Sequence, residues 1–114
     1  MTAQTASRSS DAHPPPIPKT VSFVVPALNE EKSIAGVVMQ VREAVAAAAL
    51  DGFEILLIND GSTDGTGTIM DGLAVEDDNI NVIHNSKNLG LGGAYFAGVG
   101  AARCNYVIMI PGDN

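Results

Sequence analysis

Apolar runs alternate with amphipathic stretches from residue 20 to the end of the chain. Val21-Ser-Phe-Val-Val25 is β-branched and meets Pro26, which predicts a first strand ending there. Asn29 is placed to cap a helix, with Glu30 and Glu31 in its first turn, where the helix dipole favours acids. Ile34, Val37, Val38, Val41 and Val45 then recur at helical spacing, and the pattern fades near Asp51-Gly52. Phe53 to Ile58 reads as a second strand, Asn59 to Gly65 as a loop, and Ile69, Met70, Leu73 and Ala74 as the inner face of a second helix. Ile80 to Ile83 predicts a third strand. A loop rich in Gly and Asn follows from Asn85 to Gly93, then a helix of small residues through Ala101. Tyr106 to Ile110 is the fourth predicted strand, before Pro111-Gly-Asp-Asn114.

Strands that alternate with helices of this length predict βαβ units and a mainly parallel α/β sheet, and nearly continuous apolar strands are those buried on both faces. Residues 1–19 are rich in Ser, Thr and Pro and poor in large hydrophobes, so they read as a disordered leader containing His13. Residues 20–114 make one domain. Thirteen acidic and six basic residues leave a net charge of −7, which argues against a nucleic-acid partner. Cys104 is the single cysteine, so there is no internal disulfide and no thiolate metal cluster. No apolar run reaches the roughly 18 residues of a membrane-spanning helix, and the N-terminus lacks a secretory h-region. A cytoplasmic setting is the expectation.

In a parallel sheet, ligands bind beyond the carboxyl ends of the strands. The polar residues fall there: Asn29, Glu30 and Glu31 after the first strand, and Asn59, Asp60, Ser62 and Asp64 after the second. Asn85, Lys87 and Asn88 follow the third, and Asp113 and Asn114 the fourth. Glu31 and Asp64 read as first-turn charge and N-cap. Glu30 and Asp60 point instead to a shared polar rim. A P-loop of the form GxxxxGK followed by Ser or Thr is absent, and the first turn, Pro26 to Glu30, has no glycine for a dinucleotide fingerprint. Gly90-Leu-Gly92 has the opening spacing of that fingerprint, but Tyr95 stands at its third glycine. Asp113 is placed to hold a divalent cation on a diphosphate, although a solitary Asp in a turn is more often only a turn residue.

Four segments together resemble the family 2 glycosyltransferases of GT-A fold, and within them the polyprenyl-phosphate sugar transferases of the dolichyl-phosphate mannose synthase type. They are Val24 to Glu31 (VVPALNEE), Ile58 to Thr66 (INDGSTDGT), Asn88 to Ala94 (NLGLGGA) and the final Pro-Gly-Asp-Asn. The resemblance implies that the backbone of Pro26, Ala27 and Leu28, with the Glu30 carboxylate, holds the ribose and base of a UDP- or GDP-linked sugar. Asp60 would read the base edge beside Asn59, which occupies a position that is often a second Asp. Lys87 to Gly93, with Gly90 and Gly92, would close over the nucleotide. Asp113 matches the last Asp of the family's DxD-type motif, the metal and catalytic position that takes Mg²⁺ or Mn²⁺; Pro111 replaces its first Asp. The implied reaction is an inverting sugar transfer, with a polyprenyl phosphate as acceptor at the cytoplasmic face of a membrane.

Family members continue past the metal motif, so the expectation is a donor-binding half without transferase activity of its own. A non-catalytic nucleotide-binding module and an NAD-type domain are the alternatives. Elsewhere, Cys104 reads as a small residue late in the third helix, and His84 as a strand end without a metal role. Met39, Met70 and Met109 read as packing, and Glu76-Asp77-Asp78 as a solvated helix end.

Overall fold

The computed structural model describes residues 14–113. The leader reading for residues 1–13, His13 included, and the terminal Asn114 lie outside these. The elements in chain order are β1 (Thr20–Ala27), α1 (Ile34–Ala47), β2 (Gly52–Asp60), α2 (Thr66–Glu76), β3 (Ile80–Asn85), α3 (Gly90–Ala101) and β4 (Tyr106–Met109). The strands form one parallel sheet in the order β3-β2-β1-β4.

Alternation along each strand divides the sheet into two faces. Val21, Phe23, Val25 and Ala27 of β1 join Ile55 and Leu57 of β2 beneath Ile34, Val37, Val38 and Val41 of α1 and Met70 of α2. Val24, Leu56 and Ile58 face the other way and meet Ala94 of α3. The chain therefore lays α1 and α2 on one face while stepping from β1 to β3. It then returns across the other face through α3 to reach β4, on the far side of β1. The strand order reverses between β1 and β4, and a crevice opens at the carboxyl ends of strands where such a reversal occurs.

Several boundaries differ from the sequence reading. β1 does not stop at Pro26 but pairs with β2 through Ala27. The Pro26 carbonyl accepts the Gly112 N–H (3.0 Å) on the β4 side, so the missing proline N–H leaves the β1–β2 ladder intact. β2 continues through Asp60 and β3 through Asn85, so Asn59 and Asp60 are strand residues and not loop. Asn29 does not cap α1: its φ of 54° is left-handed, and the helix begins only at Ile34 after a turn in which the N–H groups of Ser33 and Ile34 both reach the Glu30 carbonyl. Glu30 and Glu31 thus precede the helix. α1 ends at Ala47, short of Asp51-Gly52, and Ile110 follows β4 while still donating its N–H to the Val24 carbonyl (2.8 Å).

Side-chain positions differ as well. Met70 is fully buried, but Met39 is 61% exposed, because one position beyond Val38 the helix has turned to solvent. Met109 lies exposed on the edge strand. Cys104 is half-buried in the turn after α3, not within it, and its N–H donates to Ser22 Oγ (3.2 Å). Asp77 is not merely solvated: its carboxylate pairs with Arg42 of α1 (3.0 Å) and accepts the Asn79 N–H (2.9 Å). Pro18 and Lys19, the last residues read as leader, are tied to the sheet through Asp51 and Asn105.

Glu54, near the start of β2, is buried on the α3 face. It accepts hydrogen bonds from Ser22 Oγ (2.6 Å) and the Arg103 N–H (2.7 Å) and pairs with the Arg103 guanidinium (3.0 Å). Burial pushes its carboxyl upward, but the Ser22 hydroxyl, the Arg103 backbone N–H and the Arg103 side chain outweigh burial and hold it below the ordinary value of 4.5.

Candidate functional site

A cleft of about 440 Å³ occupies the crevice between the ends of β1 and β4. Pro26, Ala27, Leu28 and Glu30 line it from β1, Asp60 from β2, and Asp113 from the turn after β4. Gly90 contributes from the start of α3. Seven of the residues singled out from sequence are thereby brought to one place. Asn59, Lys87 and Gly92 are not among the lining residues. Lys87 is exposed, and its backbone instead packs over Gly61, whose φ of +78° and close approach leave no room for a Cβ, 2.8 Å from the Lys87 carbonyl carbon. Gly92 faces open space on the outer side of α3.

Asn59 and Asp60 are consecutive strand residues and so turn to opposite faces. Asn59 goes to the α2 side, where its Oδ1 accepts the Ser62 N–H (3.1 Å) and its Nδ2 meets His84 Nδ1 (3.0 Å). Asp60 goes to the cleft. Its Oδ1 accepts Asn85 Nδ2 (3.0 Å) and the Leu89 N–H (2.9 Å), which anchors the loop leading into α3. Among the described residues nothing donates to its Oδ2.

The rim on the β1 side is a hydrogen-bonded loop pair. Asn29 donates its N–H to Ser62 Oγ (2.9 Å), and its Oδ1 accepts the N–H groups of Thr63 (2.8 Å) and Asp64 (3.3 Å). The Glu30 N–H donates to the buried Thr66 Oγ1 (2.8 Å), which sets the start of the Glu30 side chain beside the cleft. Glu31, read as first-turn charge, instead accepts the Gly65 N–H across the loop (2.7 Å). Asp64 stands one residue before Gly65, the N-cap of α2, and accepts the Thr66 N–H (2.9 Å). The Thr66 hydroxyl, chiefly, holds the Asp64 carboxyl below its ordinary value against a smaller opposing effect of desolvation.

Asn88 and Leu91, which also line the cleft, belong to the Lys87 to Gly93 segment expected to close over the nucleotide, whereas the sequence reading gave Ala94, Pro111 and Gly112 no place in its lining. Helical spacing was the available signal for Ala94, which lies four positions beyond Gly90 and shares its helix face. Gly112 is buried against β1, where a Cβ would stand 2.6 Å from Ala27 Cβ. That approach, with its N–H on the Pro26 carbonyl, brings Asp113 alongside Ala27 and Leu28.

The cleft carries three carboxylates, Glu30, Asp60 and Asp113, and neither Lys nor Arg. Such a lining suits ribose hydroxyls and base N–H groups directly, and suits a diphosphate only with a cation between. Among the described residues no cluster of three or more His, Cys, Asp or Glu could hold a metal ion by itself.

Residues 22–114 match glycosyl transferase family 2, and the chain belongs to that family. It is 35% identical over 92 residues to polyprenol monophosphomannose synthase of Mycolicibacterium smegmatis, an alignment covering 79% of this chain and 33% of the relative. The prophage bactoprenol glucosyl transferase homolog of Escherichia coli is 38% identical over 93 residues, covering 82% and 30%. The chain thus spans about a third of the length of these relatives. Among solved structures, S. aureus TarS 1-349 in complex with UDP-GlcNAc superposes with a TM-score of 0.68 at 25% identity, covering 82% of this chain and 26% of that one. The mannosyltransferase PcManGT from Pyrobaculum calidifontis, in complex with GDP-Man and Mn²⁺, gives 0.73 at 21% identity, covering 85% and 28%. The fold is that of the GT-A glycosyltransferases, with a Rossmann-like parallel sheet.

Proposed function

We propose that this chain is the donor-binding part of a glycosyltransferase that moves a sugar from a nucleoside-diphosphate sugar to a polyprenyl phosphate. The observation that carries the reading is the convergence of Glu30, Asp60 and Asp113, from three different strand ends, on one cleft at the β1–β4 reversal. The names of the relatives, which act on polyprenol and bactoprenol carriers, support the acceptor class.

In this reading Asp60 Oδ2 accepts the ring N–H of uracil or guanine, while Oδ1 stays committed to Asn85 and Leu89. Glu30 accepts a ribose hydroxyl, and Pro26 to Leu28 form the wall against the nucleoside. Gly90, with its φ of +80°, lets the backbone at the start of α3 approach the nucleotide, and Lys87 and Gly92 flank that segment. Asn59 acts from behind, through Ser62. Asp113 is the residue that would hold Mg²⁺ or Mn²⁺, since a hard cation often uses one or two carboxylates plus substrate phosphates. When bound there, such a cation would supply positive charge against the nucleoside diphosphate leaving group. The acceptor phosphate, already an anion, attacks the anomeric carbon opposite the leaving group. Its oxygen forms the new bond as the sugar–diphosphate bond breaks, with inversion. A polyprenyl phosphate acceptor would bring the reaction to the cytoplasmic face of a membrane; among the described residues no helix is long and apolar enough to cross one.

The test is Asp60→Asn. The two N–H donors on Oδ1 fix the new amide with its oxygen toward them, so its NH₂ meets the base N–H, donor against donor. UDP-GlcNAc or GDP-mannose with Mn²⁺ should raise the melting temperature of the wild type. The variant should fold normally and lose about tenfold or more in nucleotide affinity, the worth of roughly 1–3 kcal/mol for an unpaired buried polar group. Equal affinity in the two proteins overturns the assignment. The companion substitution Asp113→Ala should abolish the dependence of binding on Mn²⁺.

A further inference from the structure

We infer that His84 is a positioning residue for the cleft, acting through Asn59, and that its protonation weakens nucleotide binding. The inference rests on the donor-binding reading above.

Chemistry fixes the proton positions in this cluster. The Ser62 backbone N–H can only donate, so the Asn59 atom it meets at 3.1 Å is the carbonyl oxygen. The other end of the Asn59 amide is then NH₂, which also can only donate, and it lies 3.0 Å from His84 Nδ1. His84 Nδ1 must therefore be the lone-pair nitrogen. The single imidazole proton sits on Nε2 and is donated to Asp71 Oδ1 of α2, 2.9 Å away. Each group in the row has one role, and the row works only with neutral His84.

A second proton on Nδ1 opposes the Asn59 NH₂, donor against donor. Rotating the amide to face His84 with its oxygen only moves the conflict, because the NH₂ then confronts the Ser62 N–H. One hydrogen bond is lost in either case. The loss reaches the cleft along a short path. Ser62 Oγ accepts the Asn29 N–H (2.9 Å), and Asn29 Oδ1 holds Thr63 and Asp64. Asn29 lies between Leu28 and Glu30, both of which line the cleft, and Asn59 precedes Asp60 on β2.

Space offers no easy relief. Gly67 of α2 closes the other side, where an added Cβ would stand 2.6 Å from Asn59 Nδ2 and 3.3 Å from the His84 ring. Among the described residues the charged group against the imidazole is Asp71 from α2. β2 presents the neutral Asn59, and α2 also presents the uncharged Gly67. A charged His84 is drawn toward Asp71 at the expense of the loop. Protons reach the site readily, since the His84 side chain is 45% exposed.

Affinity for UDP-GlcNAc and for GDP-mannose, with Mn²⁺, is measured by calorimetry at about pH 8 and about pH 5.5, the span over which histidine changes charge. Wild type should bind about 3- to 10-fold more weakly at the lower pH, as expected for the loss of one net hydrogen bond. His84→Asn keeps an acceptor near the position of Nδ1 but cannot titrate, so its acid-side loss should disappear. Carboxylates of the cleft that gain protons at low pH are common to both proteins and cancel in the comparison. A His84→Asn profile that superimposes on the wild type overturns the inference.

A second readout is independent of nucleotide. In ¹⁵N spectra of the free protein, the Ser62 amide and the Asn59 side-chain amide should follow the titration of His84 in wild type and stay still in His84→Asn. If nucleotide binds neither protein, the donor-binding reading fails while these resonances still decide the relay. Immobile Ser62 and Asn59 signals through the His84 titration would falsify it.

Discussion

The two faces of the sheet are built on different principles. Against α1 and α2 the strands bury side chains of full size, with Phe23, Ile34, Ile55, Leu57 and Met70 in one cluster. Against α3 the buried helix residues are Ala94 and Gly98, and an added Cβ at Gly98 would collide with Val24 Cγ1. There the helix backbone itself is the packing surface. Of its larger residues only Tyr95 packs, partly buried, against the Val24 cluster; Phe96 and Val99 are exposed, Leu91 reaches the cleft, and Met109 of the edge strand is exposed on the same face. The first face gains stability from side-chain volume, the second from close approach. The cleft opens on the second, where Gly90 and Ala94 leave space next to Asp60.

If that contrast is right, substitutions of similar chemistry should differ sharply between the faces. Met70→Ala removes a fully buried side chain from the thick face and should cost about 2–5 kcal/mol in denaturant unfolding. Phe96→Ala truncates a larger residue, but one that is 76% exposed on α3, and should stay within about 0.5 kcal/mol. Comparable losses from the two would erase the distinction.

The next test uses two glycines of the same helix. Gly98→Ala forces a methyl into β-branched Val24 and should destabilise by about 1–3 kcal/mol, even after the better helix propensity of alanine. Gly100 has nothing within 4 Å of its added Cβ, so Gly100→Ala should stabilise by roughly 0.5–1 kcal/mol. Opposite signs two residues apart are the mark of packing by backbone. Equal signs would mean that α3 sits further from β1 than the structure has it.

The same contrast explains which parts of the molecule could be read in the sequence. On the thick face, Ile34, Val37, Val38 and Val41 spell out a helical stripe, and all four are buried. The four apolar strands and their parallel arrangement followed from alternation with such stripes. α3 is Gly and Ala at most positions, so its pattern could announce a helix but not which side faces the sheet. Asn59 shows a different gap. Its place in the motif suggested the cleft, yet simple alternation puts it opposite Asp60, on the α2 side. Pro26 and Asn29 were read by their usual local meanings, strand stop and helix cap. Long-range partners, Gly112 for one and the Thr63–Asp64 loop for the other, decide both positions, and no local pattern carries that information.

The smallest expected effect concerns how a thin face is kept closed at the end away from the cleft. Glu54 fixes the chain leaving α3 by accepting from the Arg103 N–H and pairing with its guanidinium, while Ser22 bridges Glu54 to the Cys104 N–H. Glu54→Gln keeps the shape and removes the charge. Because Arg103 is largely exposed, solvent screens much of the pair, and a loss of about 1 kcal/mol at neutral pH is the expectation. The sign with pH follows from the lowered carboxyl. A group whose pKa falls on folding stabilises the fold above its ordinary value, here 4.5, and loses that contribution as pH drops through its folded value. The gap in unfolding free energy between wild type and Glu54→Gln should therefore be full at pH 7 and close progressively below about pH 4.5. A gap that persists unchanged in acid would assign the effect of the substitution to shape. The closure of the α3 face would then rest on the Gly98 contact and the backbone hydrogen bonds, without a charge behind them.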